Sequence, residues 1–198
     1  QCRSGKRTGV AALNIAIDML DEGLIEETTA IMRVQPRQLD EVLHPIIDPN
    51  AEKEAVPIVR GLPAGPGAAC GELVFTSEDA VAAARAGRAC ILLREETNPE
   101  DVEGMRAAQG ILTGRGGMTS HAALVARGWG KCCIVGCAAL HIDVHAKTLM
   151  IDGKRFGEGD TMSLNGSKGH VYAGALNTVD ATENPRFQHF MKFVDKYR

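Results

Sequence analysis

A histidine preceded by small and hydroxylated residues is the part of this sequence best suited to chemistry. Gly116 and Gly117 come first, Thr119 and Ser120 follow, and His121 then opens a short apolar run. Glycines let a backbone approach a phosphate closely, and a hydroxyl cap leaves the first-turn N–H groups of a helix facing an anion. The helix dipole disfavours an imidazolium ion at this end of a helix. The spacing therefore predicts a neutral, nucleophilic histidine that accepts a phosphoryl group.

Each part of this pattern also has an ordinary explanation, such as a capping histidine or a tight glycine turn, and only the combination points to chemistry. Two arginines flank the histidine. Arg115 is a candidate partner of a phosphoryl group, with a solvated loop arginine as an equal alternative. Arg127 lies further along the predicted helix, and we expect it mainly to stabilise the helix C-terminus.

The stretch GGMTSHAALVAR, residues 116–127, resembles the phosphohistidine signature of the phosphoenolpyruvate-utilising enzymes. That family includes the pyruvate phosphate dikinases, the phosphoenolpyruvate synthases and the first enzyme of the sugar phosphotransferase system. The latter two usually carry arginine where this sequence has Met118, which favours the dikinases, as does the following GWGKCCIVGC. Other similar stretches occur in the expected order: CRSGKRTGVAA, GLPAGPGAACGELVF, REETNPEDVEGM and SLNGSKGHVYAG.

The resemblance implies roles for individual residues around the histidine. It implies that His121 is phosphorylated on Nε2, which leaves Nδ1 to be oriented by a hydrogen bond. Thr119 is a candidate for that bond, or for contact with the phosphate. Plant members of the family phosphorylate the matching threonine as an off switch, so Thr119 is also a candidate regulatory site, where phosphate would add about −1.5 to −2 charges. The residues expected to support the phosphate are Thr119, Gly117, Gly116, Ser120 and Arg115.

The resemblance further implies that this chain is a phosphoryl carrier within a larger enzyme. ATP would phosphorylate His121 and pyruvate would accept the group, so that ATP, phosphate and pyruvate give AMP, pyrophosphate and phosphoenolpyruvate, reversibly. ATP would bind an N-terminal ATP-grasp domain of the same parent chain, and pyruvate a C-terminal barrel. Those domains would also hold Mg²⁺, with no metal site in this segment, and the parent would be a homodimer.

Three alternatives stay open at this point. A phosphoenolpyruvate synthase would transfer the same phosphoryl group but hydrolyse ATP differently. A phosphocarrier similar to the first phosphotransferase enzyme would need a small protein as acceptor. From another class, a regulatory binding module would carry the histidine without using it.

Composition narrows the classes of function. The chain has 198 residues and a formal net charge of −3. This charge gives no indication of a basic surface that would bind nucleic acid, so we expect no nucleic-acid partner. No apolar run has the length needed to span a membrane, so we expect no membrane partner. The six cysteines include no Cys-x-x-Cys pair, which favours reduced, apolar cysteines and an intracellular, reducing compartment, with zinc a distant second. Cytosol, plastid and glycosome are not distinguished.

Apolar spacing and turn residues predict the secondary structure. We expect helices at 8–22, 26–34, 77–86 (capped by Ser77) and 119–127, and a proline-rich linker without helical pattern at 45–66. A further helix is expected to start at the Asn98-Pro99 pair. Strands are expected at 72–75, 90–93, 110–113 and 132–135, followed by short β segments.

Strands that alternate with helices predict a layered α/β domain. The resemblance specifies a swivelling β/β/α phosphohistidine domain with an N-terminal helical extension. We expect residues 1–57 to be the helical tail of a nucleotide-binding domain plus a linker, 58–176 the phosphohistidine domain, and 177–198 a linker towards the barrel. The sequence starts at Gln1 and stops in a helical pattern, which is typical of an excised fragment. Hinges near 45–60 and 177–190 are expected to be mobile.

Overall fold

The structure, a computed structural model, describes residues 7–197, apart from the side chain at position 181. The α-helices are α1 Gly9–Asp21, α2 Glu27–Arg33, α3 Pro36–Val42, α4 Pro49–Glu54, α5 Ser77–Arg85, α6 Val102–Ala107, α7 His121–Trp129 and α8 Pro185–Lys196. The strands are β1 Ile46–Ile47, β2 Val59–Arg60, β3 Leu62–Gly65, β4 Ala68–Val74, β5 Cys90–Arg94, β6 Gly110–Thr113, β7 Cys132–Val135, β8 His141–Asp143, β9 Thr148–Ile151, β10 Lys154–Gly157, β11 Thr161–Asn165, β12 His170–Ala173 and β13 Thr178–Val179. Short 3₁₀ turns occupy Pro99–Asp101 and Ala181–Glu183.

The chain forms two compact units. The first contains the residues up to Pro45 together with those from Val179 onward, and its helices α1, α2, α3 and α8 share one apolar core. Leu13 and Phe190 are fully buried in that core, so the C-terminal segment predicted as a linker carries a packed helix. The second unit runs from Ile46 to Thr178 and therefore begins earlier than the expected boundary at residue 58.

A mixed sheet of eight strands forms the centre of the second unit, in the order β2-β12-β11-β4-β5-β6-β7-β3. Strands β4, β5, β6 and β7 run parallel to one another. The other pairs of this sheet, β2–β12, β12–β11, β11–β4 and β7–β3, are antiparallel. The central parallel strands β6 and β7 are buried along their whole length because both faces of a parallel sheet are covered. The predicted strands 110–113 and 132–135 are confirmed at both of their ends.

Two different layers cover the two faces of this sheet. One face packs against a three-stranded sheet of β8, β9 and β10, whose Leu149 and Ile151 are fully buried. The other face packs against helices α5, α6 and α7, mainly through alanines, which allow a helix to lie close to a sheet. Leu112 and Ile111 show the alternation, since they are adjacent in β6 and belong to opposite layers. The expected α/β class with β/β/α layers is confirmed.

The segment predicted as a linker, 45–66, differs most from expectation. Pro49 opens helix α4 at its first turn, where a missing N–H costs nothing, and the Asp48 side chain caps it by accepting from the Asn50 amide at 2.9 Å. Glu52 then accepts hydrogen bonds from Asn165 at 2.7 Å and Tyr172 at 2.8 Å. The helix is therefore attached to strands β11 and β12.

The charge of Glu52 is favoured at this position. Burial by itself raises the pKa of this carboxyl, but hydrogen bonds from Lys168, Tyr172 and Asn165 outweigh it, and the pKa is lowered. The Lys168 ammonium lies 2.9 Å from the carboxylate. The carboxylate thus joins α4 to the sheet at neutral pH.

Two other expectations concern capping and cysteines. Thr76, not Ser77, caps α5 by accepting from the Asp79 amide at 3.1 Å, and the Ser77 hydroxyl is buried and accepts from the Gly104 amide at 2.9 Å. Adjacent hydroxyl residues compete for one capping position, which the sequence alone does not resolve.

The five described cysteines are free, and burial raises the pKa of Cys132 to about 12. Cys2 lies outside the described residues.

Candidate functional site

His121 is the first residue of helix α7, and it is half-buried. Ser120 caps the helix with extended dihedrals (φ −66°, ψ 160°), and its hydroxyl accepts from the Ala123 amide at 3.4 Å. Gly130 ends the helix in the left-handed conformation, with φ at 64°. The histidine thus lies at the positive end of a helix of nine residues.

The hydrogen-bond partner of the imidazole is Thr97. Its hydroxyl oxygen lies 3.0 Å from His121 Nδ1, and Thr97 is only 6% exposed. Thr119 was the candidate for this bond, but the structure gives it to Thr97, while Thr119 lies exposed on the turn before the helix. With Nδ1 engaged, Nε2 is the ring nitrogen left for a reaction.

Two neighbouring parallel strands bring these residues together. Thr97 follows β5, His121 follows β6, and the carboxyl ends of parallel strands meet at one edge of a sheet. The ladder continues past β6, since the Gly114 amide donates to the Arg94 carbonyl at 3.1 Å. The Arg115 amide likewise donates to the Glu95 carbonyl at 2.9 Å. We call residues 95–98 the threonine loop and residues 114–120 the glycine loop.

The two predicted glycines of the glycine loop have different structural needs. Gly116 has φ at 97°, and a Cβ there would lie 2.9 Å from the Cβ of Ser120, so the position requires glycine. Gly117 has open space where a Cβ would be, and its carbonyl accepts from the Ser120 amide at 3.0 Å. Space beside Gly117 is compatible with a phosphate approaching the backbone.

Arg115 is paired within the protein. Its Nε lies 2.9 Å from a Glu95 carboxylate oxygen, and the two side chains are 72% and 45% exposed. Exposed pairs of this kind are weak, contributing about 0–1 kcal/mol, so the guanidinium can exchange its partner. Its predicted contact with a phosphoryl group remains a prediction.

Arg127 has a more specific place than the sequence indicated. Its Nε donates to the Ala123 carbonyl at 3.1 Å, and its Nη2 donates to the Met118 carbonyl. Side chains on a helix point towards its N-terminus, so this arginine reaches back to the glycine loop instead of the helix C-terminus. Arg127 therefore connects the loop to the body of α7.

Metal sites and membrane-spanning helices are two further features for which the described residues can be examined. No group of three or more His, Cys, Asp or Glu side chains in residues 7–197 is arranged to hold a metal ion. Within the same range, no helix is both long and apolar enough to cross a membrane. The group that the site presents is one imidazole, oriented by Thr97 at a helix N-terminus.

Sequence reasoning missed Thr97 as a site residue. The contact joins residues 24 positions apart, so local spacing gives no sign of it. The sequence did hold one signal of this contact. Thr97 follows shortly after the buried strand β5, and His121 follows β6, the next strand along the chain.

Comparison with known proteins shows which family this chain resembles. A family model described as the mobile domain of PEP-utilising enzymes matches residues 87–169, which include both loops and His121. Over 199 residues the chain is 51% identical to pyruvate, phosphate dikinase 1, chloroplastic, of Arabidopsis thaliana, covering 100% of this chain and 21% of that protein. It is 50% identical over 198 residues to the pyruvate, phosphate dikinase of Clostridium symbiosum, covering 100% and 23%.

The chain thus spans about a fifth of the length of these relatives. Among solved structures, a solution NMR structure of Enzyme I (nEIt) matches 55% of this chain and 37% of that chain, with 19% identity and a TM-score of 0.32. The layered sheets described above establish the fold independently of this structural match. The expected family resemblance is confirmed: residues 87–169 match the model of the PEP-utilising enzyme mobile domain, and the chain is similar along its whole length to one segment of the pyruvate, phosphate dikinases.

Proposed function

We propose that this chain is the phosphoryl-carrier segment of a pyruvate, phosphate dikinase, with His121 as the acceptor. The observation that carries the proposal is the hydrogen bond between Thr97 and His121 Nδ1, 3.0 Å long, at the start of α7. It leaves Nε2 as the nucleophile, beside backbone N–H groups suited to an anion. The similarity to dikinases over the whole chain selects this reaction among phosphoryl transfers.

The proposed transfer requires the two ring nitrogens of His121 to have different roles. The Nε2 lone pair attacks phosphorus and forms an N–P bond, while the P–O bond to the donor breaks and its electron pair stays on the donor oxygen. Nδ1 keeps its proton and its hydrogen bond to Thr97. The protonated ring is then a good leaving group, so pyruvate can take the phosphoryl group in the second transfer. Positioning and charge neutralisation supply most of the catalysis in such transfers.

The proposal assigns the remaining parts of the reaction to the rest of a longer parent chain. ATP, phosphate and pyruvate would bind to an ATP-grasp domain and a barrel outside these residues, since the relatives are about five times longer. Mg²⁺ neutralises phosphate charge in phosphoryl transfer, and we assign its ligands to those domains as well. Thr119, exposed beside the acceptor, is the proposed regulatory site, because phosphate there would repel an incoming anion.

Labelling of the parent protein tests this proposal. With [³²P]phosphoenolpyruvate, we expect acid-labile, base-stable phosphate on the wild-type protein and none on the His121→Asn variant. His145, which is exposed on the three-stranded sheet side, offers a matched control, and His145→Asn should label normally. Unchanged labelling of the His121→Asn variant would refute the assignment. A requirement for inorganic phosphate, with pyrophosphate as product, separates a dikinase from a phosphoenolpyruvate synthase.

A further inference from the structure

Arg94 and Asp101, on either side of the threonine loop, form an ion pair whose carboxylate is buried. This pair has no part in the transfer described above. Arg94 Nε lies 3.4 Å from Asp101 Oδ1, and the side chains are 23% and 5% exposed. Removing a carboxylate from water costs several kcal/mol in general, so a buried pair is weak evidence for stability alone. The position of this pair, one member on each side of Thr97, suggests another purpose.

Both oxygens of the Asp101 carboxylate are engaged. Oδ2 accepts from the Asn98 amide at 2.9 Å, and Oδ1 faces the guanidinium of Arg94. The Asp101 amide in turn donates to the Asn98 carbonyl at 2.9 Å. These contacts fix the peptide group that directly follows Thr97, and with it the direction in which the threonine side chain leaves the backbone.

Arg94 fixes the other end of the loop. Its Nη1 donates to the Phe75 carbonyl at the end of the neighbouring strand β4, at 3.3 Å. Its own carbonyl accepts from the Gly114 amide, as described above. Thr97 is thus held between a strand end and a buried carboxylate, with the hydroxyl directed at His121 Nδ1.

We propose that Asp101 is a positioning residue that, through the Asn98 amide and Thr97, keeps the His121 proton on Nδ1 and the lone pair on Nε2. This inference rests on the proposed function, because only a reaction at Nε2 gives the tautomer a purpose. A free imidazole exchanges between both neutral tautomers, and the inference is that the Thr97 hydroxyl is held so that its oxygen accepts from Nδ1, which selects one of them. A role limited to capping the Pro99–Asp101 turn would stabilise the fold and leave the tautomer unchanged.

The tautomer is measurable without any phosphoryl transfer. We would label the histidines of the 198-residue chain with ¹⁵N and record long-range ¹H–¹⁵N correlations of the neutral rings, assigning His121 by its loss in His121→Asn. In the wild type we expect the shifts of a protonated Nδ1 and an unprotonated Nε2. In Asp101→Asn we expect loss of this preference, because the amide removes the charge that faces Arg94. Glu100→Gln, an exposed carboxyl change in the same turn, should leave the wild-type pattern.

Asp101→Glu covers the case in which Asp101→Asn does not fold. It retains the charge beside Arg94 but moves the carboxylate away from the Asn98 amide, so the same loss of tautomer preference is expected. A wild-type Nδ1–H pattern in a folded Asp101 variant would overturn the inference, and so would a wild type without that pattern. Labelling of His121 tests the proposed function separately, so the two can fail independently.

Discussion

The threonine loop contacts His121 and the glycine loop leads directly into it, but the two loops are held in different ways. Thr97, the side chain of the threonine loop that contacts His121, is 6% exposed, and its backbone is fixed by the Arg94–Asp101 pair. The glycine loop has exposed residues at Arg115, Gly116 and Thr119 and depends on one left-handed glycine. The comparison indicates that the imidazole is oriented from the protein interior, and under the proposed function the phosphoryl group would arrive from the exposed side.

The largest difference between the loops should appear in the rate of phosphoryl transfer. Thr97→Val keeps the shape of the side chain but removes the acceptor at Nδ1, and we expect labelling of His121 in the parent protein to slow by about 10- to 100-fold. Thr119→Val is the matched control in the glycine loop and should change the rate by only a small factor. Equal effects of both substitutions would contradict the division of roles between the loops.

Backbone conformation should give the next largest effect. Gly116→Ala places a Cβ at φ 97° and 2.9 Å from the Cβ of Ser120, so we expect the free energy of unfolding to fall by about 1–2 kcal/mol. Denaturant unfolding of the 198-residue chain measures this. Gly117→Ala, with nothing within 4 Å of its Cβ, should be far better tolerated. A similar loss in both variants would show that the glycine loop is held by more than one position.

A smaller effect is expected where Arg127 joins the glycine loop to α7. Arg127→Gln removes the donor to the Met118 carbonyl, and we expect a loss of about 0.5–1.5 kcal/mol in unfolding free energy. Hydrogen exchange should increase at Ser120, whose amide bonds to the Gly117 carbonyl. Faster exchange in the threonine loop instead would mean that the two loops are coupled through the helix.

The smallest effect should come from the exposed pair of Arg115 and Glu95. A double-mutant cycle with Arg115→Gln and Glu95→Gln should give a coupling free energy of less than about 1 kcal/mol, decreasing further with added salt. The cycle is measured by denaturant unfolding at low and high ionic strength. A larger, salt-independent coupling would show that the glycine loop also has a rigid anchor.

Much of this site could be predicted because its signals are local. Strand β6 begins with Gly110 and strand β7 follows Lys131, and both are short, largely apolar runs that end before a glycine, so their ends follow directly from the sequence. The position of His121 at a helix start follows from the glycines and hydroxyl residues before it. Local capping rules left both Thr119 and Ser120 as candidate caps, and Ser120 is the residue that caps α7.

The parts of the fold and of the site that the sequence did not predict depend on contacts between residues far apart along the chain. The partnership of Thr97 with His121 needs the order of parallel strands, which periodicity does not give. Helix α4 was missed because its proline was interpreted as a linker signal, although Asp48-Pro49 is also a helix start. What attaches α4 is Glu52, whose partners lie more than a hundred residues later in the chain.

The amide of Asp48 donates to the carbonyl of Asn177 at 2.8 Å, near the two ends of the second unit. The unit therefore leaves and re-enters the rest of the chain at neighbouring points, as domains inserted into a host sequence commonly do. We expect residues 46–178 to fold when expressed alone. A circular permutant that joins these ends by a short linker, with new termini in an exposed turn such as Asp152-Gly153, should keep the same fold. Insertion of one self-contained gene segment into another would have required little change in either sequence.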